Sequence, residues 1–299
     1  MENSNTAKGS TFNQFSSNNK YTSDSTKEFF ESNSLVAKIA FLLLVLFGFI
    51  VLLRLGITLL SYFLQPTESP ILVDGMVDAK QLIIITQDPS EDGAITIQRS
   101  NNATEGIEFT WSCWIYIDDL TYNSGKYRCV FYKGNDYMTN KNKQIEEQPK
   151  GLNFPNNSPG LYIAPNTNAL VIIMNTFKVI NEEIIIDDIP LNKWVNVIIR
   201  CQNTTLDVYI NGTITKSHIL HGVPKQNYGD VFIAPNGGFS GNISNLKYYN
   251  YAVGTTEISK IMNKGPNTKF IGSDSLNIKN NNYLSLRWFF YGESNGYNP

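Results

Sequence analysis

From Ile39 to Leu64 the chain runs through 26 residues with a single charged side chain, Arg54. The first 15 of them, Ile39 to Leu53, carry no polar side chain. A helix of about 20 apolar residues crosses the hydrocarbon core of a bilayer, ~30 Å thick. A soluble helix of that length would show a polar face. The run therefore predicts a transmembrane helix over residues 35–64, with the lipid bilayer as its partner. Arg54 is compatible with this, because its stem can snorkel toward an interface. A cleaved signal peptide fits less well, since 34 mostly polar residues come first and Leu64-Gln65-Pro66 offers no small-residue cleavage site.

Beyond the span the period changes. In Glu108 to Ile117, the residues Phe109, Trp111, Cys113, Ile115 and Ile117 fall on one side and Thr110, Ser112, Trp114 and Tyr116 on the other. That is the period of two of a β-strand. Further short β signals occur at 82–86, 94–98, 128–133, 161–164, 169–176, 194–201, 205–210, 213–220, 231–234 and 242–249. Turn residues separate them, and the Asn/Pro-rich residues 134–160 are expected as a surface loop. Asn211-Gly212 predicts a two-residue type I′ hairpin, in which both central positions need positive φ. Thr255 to Asn263 reads as a helix, with Thr255 as its N-cap and Gly265-Pro266 as its stop. Many short strands with regular turn signals point to an all-β sandwich or jelly roll.

The organisation follows. Residues 1–34, rich in Ser, Asn, Thr and Lys, are expected as a disordered tail. Residues 65–74 form a linker, 75–266 the folded head, and 267–299 a C-terminal segment. Within the last, Tyr283 to Tyr291 is apolar enough to pack on the sandwich or to serve as an interaction tail. Lys27 and Lys38 precede the span, and no Lys or Arg follows Arg54 until Lys80. The positive-inside bias thus places the N-terminus in the cytoplasm and the head outside or in a lumen.

The net charge of −2 and the lack of a basic stripe give no support to nucleic acid as a partner. Cys113, Cys129 and Cys201 lie in or beside apolar β-like stretches and read as small buried hydrophobes rather than a disulfide framework. The only histidines are His218 and His221, and no Cys-x-x-Cys pair exists, so a zinc site has little support.

Three motifs carry a family resemblance. Phe109-Thr-Trp-Ser-Cys-Trp-Ile-Tyr-Ile117 resembles the strand that opens the core of laminin-G-like, or concanavalin A-like, jelly rolls. Trp194 to Arg200 followed by Leu206 to Gly212 resembles the Trp-strand-hairpin signature of that superfamily. Phe239 to Tyr249, then Glu257-Ile258 and Gly265-Pro266, is similar to its closing strand and helix. The resemblance spans about residues 75–266 and implies a laminin-G-like jelly roll. With Val130 to Gly134 and the anchor, the layout is also similar to membrane-anchored lectin-like proteins of large DNA viruses. That likeness implies a virion membrane and viral coat proteins as partners.

Fold does not carry function with it, and the superfamily includes lectins, adhesion modules and glycosidases. A glycosidase needs paired carboxylates on one face, and no Glu-x-Asp-x-x-Glu pattern occurs. Glu182-Glu183 and Asp187-Asp188 around Ile184-Ile185-Ile186 read as two charged turns flanking a buried strand. The head is therefore expected to be a non-enzymatic binding module for a glycan or protein. The resemblance implies calcium at a rim, for which Asp118, Asp119, Asn135, Asp136 and Asp230 are the candidates, with solvated loop carboxylates as the plain alternative. Tyr122, Tyr127, Tyr137 and Tyr228 lie in loops where they can stack on sugar rings, while Trp111 and Trp194 are expected in the core. Sequons at Asn102, Asn203 and Asn242 are candidates for glycosylation, while the one at Asn211 is already explained by the hairpin turn.

Expressed without the anchor, residues 71–299 are expected to be soluble and β-rich by circular dichroism, with cooperative unfolding. A helical spectrum would sink the sandwich reading.

Overall fold

The computed structural model describes residues 35–64, 67–91, 93–135 and 149–271. The tail 1–34, Asp136, Tyr137 and the segment Tyr283 to Tyr291 lie outside the described residues. The chain divides into two compact units, Met1–Gln65 and Pro66–Pro299. In the first, helix α1 (Leu35–Leu64) is 30 residues long, about 45 Å at 1.5 Å per residue. It is long and apolar enough to cross a membrane.

The second unit is an all-β sandwich with one closing helix. Its strands are β1 (Met76–Asp78), β2 (Ile83–Ile85), β3 (Asn101–Ala103), β4 (Gly106–Asp119), β5 (Arg128–Gly134), β6 (Gly160–Ile163) and β7 (Leu170–Met174). They continue with β8 (Glu182–Ile186), β9 (Trp194–Asn203), β10 (Thr205–Ile210), β11 (Thr213–Ile219), β12 (Asp230–Ile233) and β13 (Ser240–Tyr249), then helix α2 (Thr255–Lys264). Among the described residues these form two antiparallel sheets. One runs β1-β13-β4-β9-β10-β11, with β3 also on β4, and the other runs β2-β12-β5-β6-β7-β8.

Alternation explains the layers. Phe109, Trp111, Cys113, Ile115 and Ile117 of β4 join Val195, Val197, Ile199 and Cys201 of β9 in the core between the sheets. Trp111 lies at its centre, stacked on Phe131 at 5.2 Å and tilted against Tyr248 at 5.0 Å. A register shift between Cys129 and Phe131 lets the sequence neighbours Val130 and Phe131 both reach this core. The three cysteines are buried and free, as small core residues. Asn211 and Gly212 have φ of 50° and 78° and join β10 to β11, as the hairpin signal requires.

The outer faces are covered too. Beneath α2, Ile198, Tyr249, Val253 and Ile258 form a small apolar cluster. On the other sheet, Tyr132 stacks on Phe232 at 4.9 Å and Leu152 closes over them. At one end of the sandwich the buried Arg128 guanidinium donates to the carbonyls of Leu120 (2.7 Å), Ala164 and Thr167 (3.2 Å), tying two loops together.

Several expectations change. Residues 94–98 form no strand, because the Gln87 side chain takes the ladder's place: it donates to Ile85 and Ile95 carbonyls and accepts from Ile97 N. Trp194 is half-buried on the outer face against Tyr116 and does not join the core, since Val195 takes the inward position. Gly254 is the N-cap of α2, and Thr255 is its first helical residue. Within 134–160, Leu152, Asn153, Asn157 and Ser158 are buried, because this stretch seals an outer face. Of the C-terminal segment, Phe270 bridges Met76 and Ile271 N donates to Met76 O, so its described part extends the edge at β1.

Trp111→Ala is expected to cost about 3–5 kcal/mol of stability, as for other buried aromatic truncations. Chemical denaturation of the full chain in detergent micelles measures it, and a loss near zero would contradict the central place of this ring.

Candidate functional site

Strand β11 ends one sheet and β8 ends the other, and here the sandwich has an open edge. In β8 the inward positions are Glu182, Ile184 and Ile186. Alternation therefore carries a carboxylate inward, and Glu182 is 4% exposed. A buried charge needs partners, and β11 with the loop after it supplies them. Glu182 Oε1 lies 2.8 Å from His218 Nε2 and 2.7 Å from His221 Nδ1. His221 N also donates to both carboxylate oxygens, at 3.0 and 3.1 Å. An ionised carboxylate only accepts, so both rings present an N–H to it. Burial alone would push the Glu182 carboxyl up, but the hydrogen bonds from His218 and His221 and the His221 charge outweigh it and hold it below its ordinary value. Lys216 Nζ donates to Ile185 O at 3.1 Å, a second link between the two edge strands.

Several large apolar side chains of β11, of the loop after it and of the stretch before β8 are exposed. Phe177 is 72% exposed; its N donates to Val223 O and the Lys225 ammonium stands 5.5 Å from its ring centre. Thr176 bridges Pro224, so residues 176–180 and the loop after β11 lie side by side. Ile180, Ile219 and Val223 are exposed nearby in sequence, and Tyr228, 71% exposed, stands in the same loop as His221.

The other expected site residues are dispersed. Asp118, Asp119, Tyr122 and Tyr127 stand at the end where β4 passes into β5, whereas Asn135 and Asp230 lie beyond the far end of β5, about 20 Å away. The described calcium candidates thus do not assemble into one ligand set. Asp119 accepts from Thr121 N and Oγ1, which holds its carboxyl low. Asp230 accepts from Gln87 N at 2.8 Å and faces Lys133, whose amine donates to Gly229 O and is pushed down to about 8 by burial against the pull of Asp230. Tyr122 and Tyr127 are half-buried, the first under Lys80 and the second against Tyr162. Among the sequons, Asn102 is exposed, Asn203 has a buried side-chain oxygen, and Asn242 is half-buried in β13 between Asp78 and Tyr116.

The outer face of the first sheet holds a cleft of about 160 Å³ against α2, lined by Trp114, Lys247, Tyr249, Glu257 and Ile261. That is below the roughly 300–1,000 Å³ of small-molecule sites. Sequence reasoning missed Glu182 by treating it as a turn charge. The signal was present: Ile184 and Ile186 inward at period two require Glu182 inward as well.

A family model described as the concanavalin A-like lectin/glucanases superfamily matches residues 89–259. The search of curated proteins found no match. Among solved structures, the receptor-binding domain of a botulinum neurotoxin C/D mosaic serotype is similar at 15% identity and a TM-score of 0.40, over 52% of this chain and 36% of that one. The receptor-binding domain of botulinum neurotoxin D gives 16% and 0.39, over 62% and 48%. The serotype G binding domain gives 12% and 0.37, over 51% and 35%. This chain spans half or less of those structures, and the likeness is one of fold alone.

Because the carboxyl of Glu182 is lowered in the folded head, its pairing stabilises fully above the ordinary glutamate value of 4.5 and is lost as pH falls through the folded value. The advantage of the native chain over Glu182→Gln is therefore expected to be full near about pH 6 and to shrink steadily in acid. Denaturation of both proteins across that range checks it, and a difference independent of pH would contradict the pairing. The groups facing the carboxylate are His218 and His221, while Glu183 lies on the opposite face of β8.

Proposed function

The chain belongs to the concanavalin A-like lectin/glucanases superfamily, and we propose that it is a single-pass membrane protein displaying a lectin-like recognition head. In this reading α1 is the anchor, the N-terminus is cytoplasmic, and the head recognises a glycan or protein through the open edge between β8 and β11. The observation that carries it is Phe177, 72% exposed where residues 176–180 run beside the loop after β11, in a head whose described aromatic side chains are mostly buried or half-buried. An exposed aromatic face offers stacking to a sugar ring and a large, rigid contact to a protein. A binding rather than hydrolytic role is supported by the partners of Glu182, which are two imidazoles. A glycosidase needs two carboxyls about 5–10 Å apart across a groove, and Glu183 faces away.

A structural role, in which the head docks on neighbouring coat proteins of a virion, is the second reading. It is favoured by Ile214 and Ile219, exposed apolar residues on the strand that ends the first sheet. Edge strands accept partner strands readily.

The test is a glycan-array screen of the full chain in lipid nanodiscs, with calcium or with a chelator. Selective binding is expected, and Phe177→Ala is expected to weaken it about tenfold. Loss on chelation that calcium restores would put calcium in the site, and loss that calcium does not restore would put another divalent ion there; persistence would point to the aromatic face alone. Absence of glycan binding in both conditions would favour the docking role.

A further inference from the structure

We propose that Glu182, His218 and His221 form a site for a zinc-class divalent cation that fastens the open edges of the two sheets to each other. The inference concerns an ion and not the ligand of the head, so it stands whether the head recognises a glycan, a protein or neither.

Three kinds of observation converge. The first is donor chemistry: two imidazole nitrogens and one carboxylate oxygen suit zinc, nickel or copper, whereas calcium takes six to eight oxygens. The second is proximity, since Glu182, His218 and His221 each offer one ligand atom, all within 4.8 Å of one another. Around a tetrahedral zinc with bonds near 2.1 Å, ligand atoms stand about 3.4 Å apart. The contacts at 2.8 and 2.7 Å need to open by about 0.6–0.7 Å to admit the ion. The third is freedom to make that move. The His221 side chain is 69% exposed, while Glu182 is held in β8 with 4% exposure. A fixed buried carboxylate and a movable imidazole leave a coordination position toward solvent, for water or for a donor atom of a bound partner.

Each ring now directs an N–H at Glu182, and the ion replaces that hydrogen. A neutral ring transfers the proton through water to its other nitrogen, His218 Nδ1 or His221 Nε2, with no change of ring charge. A protonated ring releases one proton to solvent, so uptake is opposed by acid. The carboxylate stays ionised throughout and keeps its bond from His221 N.

The background is favourable for detection: the chain has two histidines, and its three cysteines are buried. The full chain, carrying no histidine tag and freed of metal with a chelator, is titrated with zinc chloride by calorimetry in detergent micelles. Calcium and magnesium chloride serve as comparisons. Saturable uptake of one zinc per chain is expected, with no comparable heat from calcium or magnesium. His221→Ala, a change at an exposed side chain, is expected to weaken uptake by about tenfold or more. Replacing both histidines should abolish it. Zinc should also raise the thermal midpoint of the native chain and not that of His221→Ala. No saturable uptake, or uptake equal in the His221→Ala protein, would overturn the site and leave a hydrogen-bonded acid–base cluster only.

Discussion

Everything in the head depends on two apolar sheet faces being pressed together. Each face is the product of alternation in its strands, and neither is stable in water alone. Trp111 marks the middle of the contact, held between Phe131 of the facing sheet and Tyr248 of its own. Once that layer is formed, the remaining requirements are to cover the two outer faces and to manage the edges. Helix α2 and the stretch around Leu152 do the first.

The edges cannot be solved by apolar packing, because a sandwich must stop somewhere and its last strands meet water. At β8 and β11 the solution is polar. A carboxylate carried inward by the strand period is matched by two imidazoles and a backbone N–H, and a lysine reaches a facing carbonyl. Burying the carboxylate without them would cost several kcal/mol. Beside it, Phe177 and Ile219 are left facing outward. A structural necessity and an exposed recognition face thus come from one place in the fold.

Much of the fold was legible in the sequence because it rests on local periodicity. The alternation in β4, the Asn211-Gly212 turn and the closing helix are all short-range signals, and each has its counterpart in the structure. What was hidden is non-local. No rule of period or propensity shows that the Gln87 amide replaces a strand partner for residues 95–97. Nor does sequence place His218 beside Glu182, 36 residues away. The dispersal of the rim carboxylates was hidden for the same reason, since it depends on which end of β5 each loop adjoins. Trp194 departs from its expected core position by a single step of the alternation, because Val195 and not Trp194 sets the inward phase of β9.

Arg128 shows how one side chain can decide mechanical behaviour far beyond its own strand. Its planar fork holds carbonyls from the loop after β4 and from the turn between β6 and β7. A lysine, with a single point of charge, would not span both. The two segments therefore form one stiff plate at that end of the head. A pull on the Asp119 side is felt at Thr167, and local opening there releases both segments at once rather than one loop at a time.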